Sequence, residues 1–148
     1  MFSRSQKCSV KRSEKTQTPK GQRPKKKPIN EKPRDLEERT AGFAVAIRAF
    51  VRGLPRTIAN IEDVKQLVRA SGSVAANCIE ANEALGEKDR VMKFRTCRKE
   101  AKECELWLRL LDLGENLDRD KVRAELRQEA HELKLICSAI VKKLESLK

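Results

Sequence analysis

From Asp35 onward, apolar side chains recur every three or four residues, the spacing that gathers them on one side of an α-helix. The first such run spans about Asp35 to Gly53. Leu36, Phe43, Ala46, Ile47, Phe50 and Val51 form its stripe, and Asp35, Glu37 and Glu38 stand where the helix dipole favours negative charge. Gly53, Leu54 and Pro55 predict its end. A second run covers about Ile61 to Leu85, with Asn60 as the expected N-cap and Asp63 three residues on. The third, about Glu87 to Leu113, sets Phe94, Cys97, Ala101, Cys104, Leu108 and Leu111 at heptad spacing. Leu106, Trp107, Leu110 and Leu113 project away from that seam, so this end is apolar nearly all round and is expected to be buried on every side. Gly114 predicts the stop. In the fourth, with Asp118 as expected cap and continuing towards Lys148, Leu126, Ala130, Leu133, Cys137, Ile140, Leu144 and Leu147 keep the heptad, and Ile136 and Val141 widen the stripe.

The second run has an unusual reverse side. Val64, Val68, Ala75, Cys78, Ile79 and Asn82 fall on one face, and Ala70, Ser73, Val74, Ala76, Asn77, Ala81 and Ala84 fall mostly on the other. A water-facing side would be filled with Lys and Glu. Small residues predict close packing against another element or another subunit. Gly72, at a cost of about 1 kcal/mol relative to Ala inside a helix, fits close backbone approach by a second helix.

Short linkers between four amphipathic runs make neighbours antiparallel. The expected fold class is all-α, an up-down-up-down antiparallel four-helix bundle over residues 35–148, preceded by a disordered basic tail over residues 1–34. The apolar surface left over on the second and third runs predicts a homo-oligomer. Composition agrees: charged residues make up 38%, aromatics 3%, and there is no Tyr, a profile poor in strand formers.

Charge is unevenly placed. The net charge is +12, of which residues 1–34 carry twelve Lys or Arg against Glu14 and Glu31, leaving the rest of the chain near neutral. Pro19, Pro24, Pro28 and Pro33 punctuate that tail, which has almost nothing apolar to bury. A cationic arm suits a phosphate backbone, and Lys11, Arg12, Arg23, Lys25, Lys26 and Lys27 are its candidate RNA or DNA contacts. A solubilising tail, a two-part nuclear localisation signal or an upstream extension from a misplaced start codon are the alternatives.

No run approaches the roughly 20 apolar residues of a membrane span, and the N-terminus has no apolar signal core, so a cytoplasmic protein with no membrane contact is expected. Five cysteines without a C-x-x-C pair read as buried thiols in a reducing compartment. Catalytic chemistry is not signalled. His131 is the lone histidine, with Gln128 where a di-iron Glu-x-x-His pair needs Glu. Glu80 with Glu83 and Glu100 with Glu103 are paired one turn apart, as ion-pairing residues commonly are. No catalytic, cofactor-binding or metal site is expected, and no cofactor. The candidates for an oligomer interface or for buried polar contacts are Ser73, Asn77, Glu80, Leu106, Trp107 and Leu110. Trp107 is also a candidate anchor for a protein partner.

Four stretches carry a family resemblance: D-L-E-E-R-T at Asp35–Thr40, L-P-R-T-I-A-N at Leu54–Asn60, S-G-S-V-A-A-N-C-I-E-A-N-E-A at Ser71–Ala84 and C-R-K-E-A-K-E-C-E-L-W-L-R-L-L at Cys97–Leu111. Together, and in this order, they resemble the bacterial four-helix-bundle family that includes proteins encoded in intervening sequences of 23S ribosomal RNA genes. The resemblance implies a small all-α protomer in a ring, commonly a homopentamer. Its relatives include the accessory protein of diversity-generating retroelements, a basic pentameric barrel that binds nucleic acid and a reverse transcriptase. The functional expectation is a non-enzymatic oligomeric bundle that binds structured or ribosomal RNA. The alternative is a protein-interaction scaffold or accessory subunit of a nucleic-acid enzyme such as a reverse transcriptase.

Overall fold

In the computed structural model, which describes residues 35–147, four helices follow one another: α1 (Leu36–Val51), α2 (Ile58–Asn82), α3 (Glu87–Leu110) and α4 (Leu117–Ser146). Each packs on the next, and α1 closes the circuit against α4. The connections, residues 52–57, 83–86 and 111–116, are short enough to keep successive helices antiparallel. The described residues form the expected all-α four-helix bundle. Lys11, Arg12, Arg23, Lys25, Lys26, Lys27 and Cys8 lie outside the described residues.

Caps decide where the helices begin, and two differ from expectation. Asp35 caps α1 as its sequence suggests, its Oδ1 accepting from Glu37 N at 3.0 Å. For α2 the cap is Thr57, whose Oγ1 accepts from Asn60 N at 3.1 Å, so the helix starts three residues earlier than the Asn60 signal predicts. For α4 the cap is Asn116, whose Oδ1 accepts from Arg119 N at 3.0 Å. Asp118 instead sits in the first turn, where its charge still suits the dipole. Gly114 takes φ +63, a left-handed turn that favours glycine, just beyond the end of α3.

The core is read most cleanly from α3, where all six heptad positions from Phe94 to Leu111 are buried. In α4, Leu126, Ala130, Leu133, Cys137 and Val141 are buried, while Leu147 is exposed because it lies past the last helical turn. The faces of α2 need correction. Its buried side is Leu67, Ala70, Val74, Cys78 and Ala81, drawn largely from the supposed reverse side, and Ile79 is exposed. Being packed between α1 and α3, this helix centres its core face on the Leu67–Val74–Ala81 heptad, and Val64 and Val68 become half-buried flanks. Ala46, assigned to the stripe of α1, is exposed as well.

Two polar devices hold the helices in register. Buried Asn60, 2% exposed, donates through Nδ2 to Pro55 O and Asp112 O, both at 2.8 Å, and accepts at Oδ1 from Asp112 N at 2.9 Å. It thereby ties the α1–α2 connection to the α3–α4 connection. Arg39 links α1 to α4, donating to Glu129 at 2.6 and 2.9 Å and to Glu132 at 2.7 Å. Those charge-assisted bonds hold the guanidinium protonated against its partial burial.

Cys78, Cys97, Cys104 and Cys137 are buried and free, with the Cys97 and Cys137 sulfurs 3.2 Å apart. Burial pushes the Cys78 thiol up to about 11 and the Cys104 thiol up to about 12. Its shared hydrogen bond with Cys137, and burial, push Cys97 up too. Cys78, Cys97 and Cys104 are therefore protonated at neutral pH, whereas the hydrogen bond to Cys97 lowers the Cys137 thiol. Because the folded values of the first three lie above the roughly 8.5 of an unfolded thiol, their contribution to stability is complete below that pH and is lost as pH rises towards 11–12. Iodoacetamide at about pH 8 should therefore label Cys78, Cys97 and Cys104 at least about a hundredfold more slowly in the folded chain than in urea. Peptide mapping checks this, and comparable rates would contradict the burial.

Candidate nucleic-acid interface

The bundle surface sorts the sequence candidates into separate places. Ser73 and Asn77 are half-buried, and Asn77 Nδ2 donates to Ser73 O at 2.8 Å within the same helix. Glu80 is exposed and pairs with Lys93 at 2.5 Å. That hydrogen bond is also what raises the Lys93 pKa. Asn77 and Glu80 thus each have a partner inside the protomer. On the protomer Leu106 and Leu110 are 45% and 49% exposed, because α2 and α4 flank α3 and leave its outer turn open. Trp107 is half-buried against the core, and its Nε1 is shielded from solvent without a hydrogen-bond partner.

The paired carboxylates do not converge. Glu103 faces Lys99 at 3.6 Å, Glu80 faces Lys93, and the Glu100 pKa is raised chiefly by burial and then by Glu103. His131 Nδ1 lies 3.1 Å from Lys134 Nζ and 3.4 Å from Glu105, a surface polar cluster. Among the described residues no group of three or more His, Cys, Asp or Glu is placed to hold a metal ion.

Cations, by contrast, do converge. On the α3–α4 side a groove of about 470 Å³ is lined by Arg98, Lys99, Lys102, Lys134 and Ser138. Lys134 bonds Glu105 at 2.7 Å and Lys99 meets Glu103, while Arg98 and Lys102 have no carboxylate partner among the described residues. On the opposite flank, between α1 and α2, two adjoining hollows of about 580 and 310 Å³ share Val64 and Lys65. Arg48 and Arg69 line the larger, and Arg52 and Arg56 line the smaller. Reading the sequence for a basic tail missed both. A signal existed in the four-residue spacing of Arg48 and Arg52, of Lys65 and Arg69, and of Arg98 and Lys102, which puts each pair on one helix face. Which helices would flank each pair is not a local property.

The class that emerges is an all-α bundle whose outer inter-helix grooves carry cations. Its family follows from comparison: the model of the 23S rRNA-intervening sequence protein family matches residues 35–139, and the chain belongs to that family. Among solved structures it is similar to a protein of unknown function from the S23 ribosomal protein family of Bacteroides thetaiotaomicron. The two are 25% identical with a TM-score of 0.61, over 73% of this chain and 99% of that one. No curated protein matches the sequence significantly. No helix among the described residues is long and apolar enough to cross a membrane.

Proposed function

We propose that this protein is a non-enzymatic, oligomeric bundle, pentameric as the resemblance implies, that binds structured RNA, with ribosomal RNA the first candidate. The observation that carries this reading is the set of uncompensated cations in the inter-helix grooves, together with a net charge of +12. Membership of a family named for intervening sequences of 23S rRNA supports the choice of RNA. The tail cations Lys11, Arg12, Arg23, Lys25, Lys26 and Lys27 add phosphate contacts, and the free thiols suit a reducing cytoplasm.

Binding of the full chain to a structured ribosomal RNA fragment should weaken by roughly a thousandfold between about 50 and 200 mM salt. Replacing the six tail cations by Gln should weaken binding at low salt and flatten that dependence. Loss of binding at every salt would reject the reading, and an unchanged slope would remove the tail from it. For assembly, sedimentation at micromolar concentration should give a mass well above 16.9 kDa; a monomer would overturn the oligomer.

A second reading, a scaffold or accessory subunit of a nucleic-acid enzyme such as a reverse transcriptase, is favoured by the exposed Leu106 and Leu110 beside Trp107. It requires a protein partner that stays bound after nuclease treatment and is lost with Leu106→Asp.

A further inference from the structure

The α1–α2 groove differs from the α3–α4 groove in having an apolar floor beneath its cations. Val68, Gly72, Ser73 and Ala76 pave it, and half-buried Val64 forms a wall. Apart from one side chain, nothing stands over Gly72: a Cβ there would meet only Arg48 Nη2, at 3.4 Å. Within the protomer it is a guanidinium, and not a helix, that comes close to this glycine. Arg48 is tied to its own helix, with Nη1 donating to Ala44 O one turn earlier at 3.0 Å, and it has no carboxylate partner among the described residues.

From Ile61 to Ala76 the groove runs along about 22 Å of α2 at 1.5 Å per residue. Its hollows fall in the size range that accepts small organic groups. Arg52 and Arg56 extend the positive charge past its end without carboxylate partners among the described residues. Lys65 bonds Glu62 at 2.9 Å, and Arg69 is near enough to Glu100 of α3 to offset part of the rise in that carboxyl's pKa. Cations thus outnumber acids along the groove. Another cationic surface laid on this groove would oppose like charges. A polyanion meets the opposite situation.

A shallow hollow floored by small side chains beside a guanidinium accepts the face of a planar ring, and nucleobases stack on arginine planes when they are unpaired. A duplex hides those faces and presents only phosphates and groove edges. We infer that the α1–α2 groove binds an unpaired stretch of RNA, with a base on the Val68–Ala76 floor beside Arg48 and phosphates along Arg52, Arg56 and Arg69. This assignment rests on the RNA-binding reading above and names where and how the bundle itself takes part.

The test uses the full chain with two labelled probes at about 50 mM salt, a single-stranded RNA of about 12 nucleotides and a fully paired RNA duplex of the same length. Gly72→Leu fills the floor without changing charge, and folding should survive because the one atom near the new Cβ is the tip of the flexible Arg48 side chain and leucine favours helix over glycine. It should weaken single-strand binding about tenfold, leave the salt slope unchanged and leave duplex binding within about twofold. Arg48→Ala, which keeps the floor, should weaken single-strand binding and lower the salt slope by about one. If the unsubstituted chain binds neither probe, the RNA-binding reading itself fails. If it binds and Gly72→Leu retains its single-strand affinity, only the groove assignment fails. A changed sedimentation mass for Gly72→Leu with unchanged RNA affinity assigns the floor to a second copy of the chain and likewise overturns the inference.

Discussion

Replacing Asn60 by Ala should lower the unfolding free energy by about 3–4 kcal/mol, measured by urea denaturation at neutral pH. Asn60 makes three hydrogen bonds to two separate connections, at 2.8, 2.8 and 2.9 Å, from a position 2% exposed. Each such bond contributes about 1 kcal/mol net, and a buried group left without its partner costs about 1–3 kcal/mol. The substitution strands the Asp112 amide and the carbonyls of Pro55 and Asp112 together. Asn60→Asp separates the contributions: it preserves an acceptor for Asp112 N but turns the donor towards two carbonyls into a third acceptor. It should therefore recover little of the loss. A change under about 1 kcal/mol for Asn60→Ala would show that the two connections hold their register without this clamp.

The second large effect is expected at Phe94, where Phe94→Ala should cost about 3–5 kcal/mol. Phe94 is 2% exposed and is among the largest fully buried side chains of the core cluster. Its neighbours in the α3 seam are small, with Cys97 one turn on and Ala101 beyond it, so little side-chain volume is available to collapse into the space. Phe94→Leu, which leaves a smaller void, should cost less than half as much. Equal losses for the two would mean that the site recognises the aromatic ring and not its volume.

The α3 seam and the Asn60 clamp mark the two ends of what a sequence reading can reach. Phe94 to Leu111 is legible because one helix, repeating every seven residues, brings its own apolar positions into line whatever it packs against. The four runs and their short connections then make the bundle the simplest way to bury them. Asn60 carries a cap signature that is chemically sound, yet Thr57, three residues earlier, is the residue whose hydroxyl accepts from the Asn60 amide. The amide side chain of Asn60 is drawn into the end of the bundle by Asp112, 52 positions away. Local chemistry ranks the two residues almost equally, and a long-range contact decides between them. The same holds in α2, where small residues on both sides blur the hydrophobic contrast, so that packing against α1 and α3 selected the Leu67–Val74–Ala81 face.

The candidate interface divides likewise. A tail rich in Lys and Arg is visible from composition alone, whereas the grooves are not. Arg48 and Gly72 are 24 positions apart, and their apposition exists only because α1 folds back along α2.

The sequence by itself therefore determined the number and nature of the helices, the all-α class, the excess of positive charge and the family, because periodicity, composition and local word patterns are properties of the chain. The tertiary structure decided which face of α2 is core, which cap residue closes each helix, how the buried polar groups are satisfied, and where unpaired cations stand over an apolar floor. Each of those depends on contacts between residues far apart in the chain.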